Sequence, residues 1–117
     1  MAAQRSKPKP KPGVRAEVTA LLEKFPFVAK RPSRYRHRDA FYLERGEFAH
    51  FHSPYELDLK LTWPNVKALR DSKAGAPGLN FRKNPSDWLE IDLKRADRKL
   101  LRSLLRTAYE AELARKS

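Results

Sequence analysis

The sequence predicts an α+β domain: an antiparallel four-stranded sheet, a meander plus one later strand, with helices packed on one face in the order αβββαβα. Three observations lead there. Apolar residues recur at helical spacing near both ends, and they alternate with polar residues over four short runs in between. A chain of 117 residues without an internal repeat holds one compact domain and a tail.

The elements follow in order. Lys7-Pro8-Lys9-Pro10-Lys11-Pro12 admits neither helix nor sheet, so residues 1–13 are expected to form a disordered Lys/Pro-rich arm ahead of a domain over 14–113, with 114–117 as a C-terminal tail. Val14, Val18, Leu21, Leu22 and Phe25 make one helical stripe, ended by Pro26 and Pro32. The cationic run from Lys30 to Arg38 reads either as a nucleic-acid contact or as a solvated loop or edge strand. Three strands are expected at 40–44, 47–52 and 57–62. With Arg45-Gly46 and Pro54-Tyr55 as turn centres, Phe41 faces His50 and His50 faces Leu59. That register gathers Phe41, Leu43, Phe48, His50, His52, Leu57, Leu59 and Leu61 on the core side. It leaves Tyr42, Glu44, Glu47, Ala49, Phe51, Asp58 and Lys60 outside. A second turn one residue longer would place His50 opposite Asp58 instead. Trp63-Pro64 opens a short helix with Val66 and Leu69 inward, and a loop runs from Gly75 to about Ser86. Trp88 to Leu93 alternates as a fourth strand. Asp97 is placed to cap a last helix whose stripe is Leu100, Leu101, Leu104, Leu105 and Ala108, ending near Tyr109.

The net charge of +12 is uneven. Residues 1–38 carry 11 basic and 2 acidic side chains, residues 39–93 carry 7 and 9, and residues 94–117 carry 8 and 3. Polyanions are therefore expected at the ends. The absence of cysteine excludes a disulfide framework, a thiol nucleophile and a thiolate zinc site. Apolar runs of only a few residues leave no membrane span, and the opening residues lack the apolar stretch of a secretory signal. A cytoplasmic protein with no membrane partner is expected.

No G-x-S-x-G, P-loop or G-x-G-x-x-G occurs, so no catalytic residue and no cofactor is assigned and the chain leans away from an enzyme. The carboxylates of the outer sheet face, Glu44, Glu47, Asp58, Glu90 and Asp92, read as solvated rather than as an acid/base pair. The sharpest local feature is Ala49-His50-Phe51-His52, two imidazoles about 7 Å apart along one strand. They are either satisfied structural histidines, polar handles of an apolar pocket, or ligands of a metal whose third donor is His37 or Asp58. In the last helix Arg95, Arg98, Arg102 and Arg106 form a basic row beside Lys94 and Lys99, opposite the Leu stripe, which reads either as a DNA- or RNA-contacting helix or as an ordinary solvated helix face.

The run Gly46-Glu47-Phe48-Ala49-His50-Phe51-His52, then Glu56-Leu57-Asp58-Leu59-Lys60-Leu61, Ser86-Asp87-Trp88-Leu89-Glu90-Ile91 and Leu104 to Glu110, resembles the small luciferase-like domain family of uncharacterised proteins. The resemblance covers about 40–110 and implies marked positions at Glu47, His50, His52, Asp58, Trp88 and Tyr109. A segment with a further His ahead of the Trp strand, usual in that family, is replaced here by Gly78-Leu79-Asn80-Phe81-Arg82-Lys83. The layout is also similar to the MmcQ/YjbR-like proteins, which implies the same kind of fold and a DNA-binding role.

The leading expectation is a small non-enzymatic domain that engages DNA or RNA through phosphates, with Lys7, Lys9, Lys11, Arg31, Arg34, Arg36, Arg38, Arg95, Arg98, Arg102 and Arg106 as contacts. The alternatives are a small-molecule or metal site, with or without enzymatic activity, at His50, His52, Asp58 and Trp88, and a protein-interaction module.

Overall fold

The structure is a computed structural model that describes residues 13–33 and 39–116. The arm cations Lys7, Lys9 and Lys11, together with Arg34, Arg36, His37 and Arg38, lie outside the described residues. The fold is α+β, with three helices and an antiparallel sheet. The sheet has six strands rather than four, and the element order is αββββαββα rather than αβββαβα.

Helix α1 spans Val14–Lys24 and buries Val14, Val18 and Leu22, the inner part of its stripe. Pro26 cannot continue it, and Phe25 already has extended backbone angles. Strand β1, Val28–Pro32, is the first added strand. It lies at the sheet edge and pairs from Val28↔Leu43 to Pro32↔Asp39 with β2, Asp39–Leu43. Over Lys30 to Pro32 it realises the edge-strand alternative of the cationic run, because an edge position tolerates both cations and a terminal proline; Val28 and Ala29 begin it ahead of that run.

Strand β3, Gly46–Ser53, and β4, Glu56–Lys60, complete the meander, but the register differs from the expected one at two places. The first turn is centred on Glu44-Arg45, one residue early, with Glu44 at φ 57°. Past Tyr42↔Glu47 the pairing jumps to Phe41↔Ala49, so Phe48 is an extra residue. The second turn is centred on Pro54-Tyr55 as expected, but Ser53↔Glu56 is followed by Phe51↔Leu57, which makes His52 extra. Each bulge shifts the pairing by one residue, and between them the two faces are exchanged. Ala49 and Phe51 therefore join the core, whereas His50 leaves it and pairs with Asp58. The physical reason is burial: the expected register would expose a Phe and seat an imidazole against Leu59.

Helix α2, Trp63–Lys73, is followed by β5, Leu79–Asn80, a two-residue strand inside the expected loop. β5 pairs with β6, Trp88–Asp92, through Leu79↔Ile91. The sheet order is β1-β2-β3-β4-β6-β5. Helix α3, Arg98–Lys116, is capped by Asp97, whose Oδ2 accepts from the Leu100 N–H at 2.9 Å, and it continues past Tyr109. Val18 and Leu22 of α1, Val66 of α2, and Leu101, Leu105 and Ala108 of α3 share one core with Phe41, Phe51, Leu57, Leu59, Leu89 and Ile91 of the sheet. The other sheet face carries Tyr42, Glu47, His50, Asp58 and Trp88, none of which belongs to the hydrophobic core that the helices share.

Candidate functional sites on the two sides of the fold

On the outer sheet face the bulges assemble a buried polar cluster. His50 and Asp58 are opposite one another on β3 and β4, and His50 Nε2 lies 2.9 Å from Asp58 Oδ2. Its other nitrogen, Nδ1, lies 2.7 Å from Glu47 Oε2, a close contact that is not aligned for a hydrogen bond. Glu47 in turn accepts from the Tyr42 hydroxyl at 2.8 Å and from the Ser33 hydroxyl at 3.1 Å. Trp88, across β4 from His50, sets its ring 5.0 Å from the imidazole. With one ring proton His50 donates to one carboxylate; with two it is a cation between two buried anions.

Glu47 and Asp58 are thus buried and not solvated, which corrects the reading of the outer carboxylates. Glu44 and Glu90 are exposed and Asp92 is half-buried. His52, displaced by its bulge, is half-exposed, with Nδ1 3.9 Å from the same Asp58 Oδ2 that His50 contacts. His50 faces these carboxylates and not an apolar pocket between sheet and helix. Among the described residues no group of three or more His, Asp or Glu side chains is arranged to hold a metal ion. Of the positions marked by the luciferase-like resemblance, Glu47, His50, His52, Asp58 and Trp88 converge here. Tyr109 does not: it lies in the core, stacks on Phe25 with centroids 4.5 Å apart, and donates to the Pro26 carbonyl.

The second candidate lies on the opposite side, in a cleft between α1 and α3. One part, about 810 Å³, is lined by Ala16, Glu17, Ala20, Leu21, Lys24, Arg98 and Arg102. It continues into a second part of about 330 Å³, where Phe25, Leu105 and Arg106 join Leu21, Lys24 and Arg102. The i, i+4 spacing puts Arg98, Arg102 and Arg106 on one line of α3, each about 6 Å further along the axis. That line faces α1, and the arginines border a channel with an apolar floor. Arg98 is paired with Glu17 across the cleft, and Arg106 lies over the Phe25 ring at 5.7 Å. Lys24 and Arg102 are exposed and form no ion pair with another described residue.

The other expected phosphate contacts are dispersed. Arg95 sits in the turn before α3, where its N–H bonds the Asp92 carbonyl. Arg31 is on the edge strand, over the Tyr42 ring at 5.8 Å, and belongs to the outer face.

Comparison of the chain with family models, curated proteins and solved structures gives no match. The two sites therefore stand on their own geometry. One of their features escaped the sequence reading: Lys24 and Phe25 belong to the cleft although they sit about 75 residues from its arginines, and no periodic pattern connects the two helices. Outside the lining of the cleft, Phe27 follows the helix-ending proline, beyond the α1 stripe, and is 86% exposed.

Proposed function

We propose that this protein is a non-enzymatic nucleic-acid-binding domain that takes the phosphate backbone into the α1–α3 cleft with little base specificity. The observation that carries this reading is the meeting of Lys24 and Arg102, both without an anionic partner among the described residues, in one channel with Arg98, which is paired with Glu17, and Arg106, which is paired with Glu110 at 3.9 Å. Cations in register along a groove neutralise successive phosphates and release counterions, which supplies sequence-independent affinity. On the outer face Glu90 is paired with Arg82 at 3.3 Å and Glu47 and Asp58 are buried around His50, whereas the cleft side carries the cations in a row, which favours it as the landing surface. Binding of DNA and RNA oligonucleotides across a salt series tests it. Affinity should fall steeply with salt, and Arg102→Ala should lower the slope by about one phosphate contact. No binding at low salt, or binding indifferent to salt, would remove the reading.

A second reading, a small-molecule site on the outer face, is favoured by the convergence of Glu47, His50, His52, Asp58 and Trp88 and by the luciferase-like resemblance behind it. The half-exposed His52 beside Asp58 would be the contact group. A thermal-shift screen of small ligands and divalent metals against wild type and His52→Ala decides it. A shift lost in the variant supports this reading, and none in either protein assigns the cluster to structure.

A further inference from the structure

We propose that Phe27 is a stacking platform that makes the cleft prefer single-stranded over duplex nucleic acid, an inference that rests on the cleft being the nucleic-acid site. Phe27 is the most exposed large apolar side chain among the described residues, at 86%. Its backbone is left-handed, with φ 67°, a region that glycine enters freely and a bulky residue enters only with strain. The position therefore disfavours phenylalanine twice, through the backbone and through an unburied ring, and such sites concentrate where strain serves binding.

The turn around it is held firmly. On one side Phe25 stacks on Tyr109, with rings 9° from parallel, and the Pro26 carbonyl accepts from the Tyr109 hydroxyl at 3.1 Å. On the other, the Val28 N–H bonds the Phe25 carbonyl at 3.3 Å, closing the turn over Pro26 and Phe27. An aromatic ring on a pinned turn loses little conformational entropy when a ligand lands on it.

The location selects the ligand. Phe27 lies three residues after Lys24 and two after Phe25, both of which line the end of the cleft where Arg106 covers the Phe25 ring, so the chain brings it beside the cleft without making it part of the lining. A row of cations beside an exposed aromatic ring matches a strand whose phosphates follow the charges while a base stacks on the ring. In a duplex the base faces are already stacked on one another, so Phe27 has nothing to engage except at an unpaired end. Phosphate contacts alone would leave single and double strands undistinguished by this residue.

The test uses the full chain, wild type and Phe27→Gly, with three probes of equal length: a single-stranded oligonucleotide carrying 2-aminopurine, its duplex, and an abasic strand. Glycine removes the ring and also relieves the left-handed backbone, so a loss of binding cannot be ascribed to unfolding; a thermal melt at or above that of wild type verifies this. Phe27→Gly should weaken the single strand about 5- to 150-fold. It should leave the duplex and the abasic strand unchanged, keep the salt slope, and abolish the 2-aminopurine fluorescence change, while Phe27→Trp restores binding. Salt-dependent binding that Phe27→Gly leaves intact, or weakens equally on the abasic strand, overturns the platform and spares the cleft. No binding by wild type to any probe overturns both. Polyglutamate serves as a polyanion control beside the three nucleic-acid probes: bound as tightly as the single strand, with the same loss on Phe27→Gly, it would reassign the platform to an acidic peptide and overturn the proposal.

Discussion

At His50 two carboxylates and one imidazole are withdrawn from water together. Glu47 and Asp58 are each within 3 Å of a ring nitrogen, and neither is solvated enough to hold its charge by hydration alone. Removing the ring should therefore be worse than losing one contact, because two buried carboxyl groups each lose the ring nitrogen they face. His50→Leu is expected to destabilise the fold by about 3–5 kcal/mol in denaturant unfolding. A loss below about 1 kcal/mol would mean that water reaches the carboxylates and that the cluster is not the closed group described. At the same scale His50 and His52 part company. They are two residues apart, yet one is buried between acids and the other half-exposed, because the bulge at His52 breaks the strand period on which their common face depended.

The elements owe their boundaries to distant partners as much as to their own residues. Helix α2 begins without a side-chain cap from Thr62; the Trp63 N–H is taken instead by Asp87 Oδ1 at 2.7 Å, from the loop ahead of β6. The Asp87 carbonyl also accepts from the Leu61 and Thr62 N–H groups. Strand β5 exists for a comparable reason. Gly78, at φ 82°, brings its carbonyl 2.7 Å from the Asp92 N–H, and a Cβ there would meet Ala96 N at 2.6 Å and Asp92 O at 2.8 Å. Both backbone and space thus require glycine where β5 joins β6 and the turn into α3. Gly78→Ala should cost about 2–4 kcal/mol, read as a lowered unfolding midpoint, and should speed amide exchange at Leu79, Asn80 and Asp92 first. Unchanged exchange there would show that the turn yields at little expense. Neither Asp87 nor Gly78 announces its partner in the sequence, since each acts on residues a dozen or more positions away.

Over the whole molecule the sheet divides two chemistries. Its helical side carries the basic cleft, and its other side carries the buried carboxylate–imidazole cluster. Much of this layout is legible in the chain. The stripes of α1 and α3, the alternation of β4 and β6, the Asp97 cap and the gathering of cations towards the ends follow from local spacing, because a helix or strand imposes its own period on whatever it buries. The sequence by itself thus determined an α+β domain with an antiparallel sheet and a basic last helix. It did not decide which way residues 49–51 face, nor that Lys24 and Phe25 would meet Arg102 and Arg106. A bulge is a one-residue choice settled by the burial summed over three strands, Phe51 against Leu57 outweighing His50 against Leu59. A cleft between the first and last helices exists only once the sheet has formed and both have packed on the same side of it.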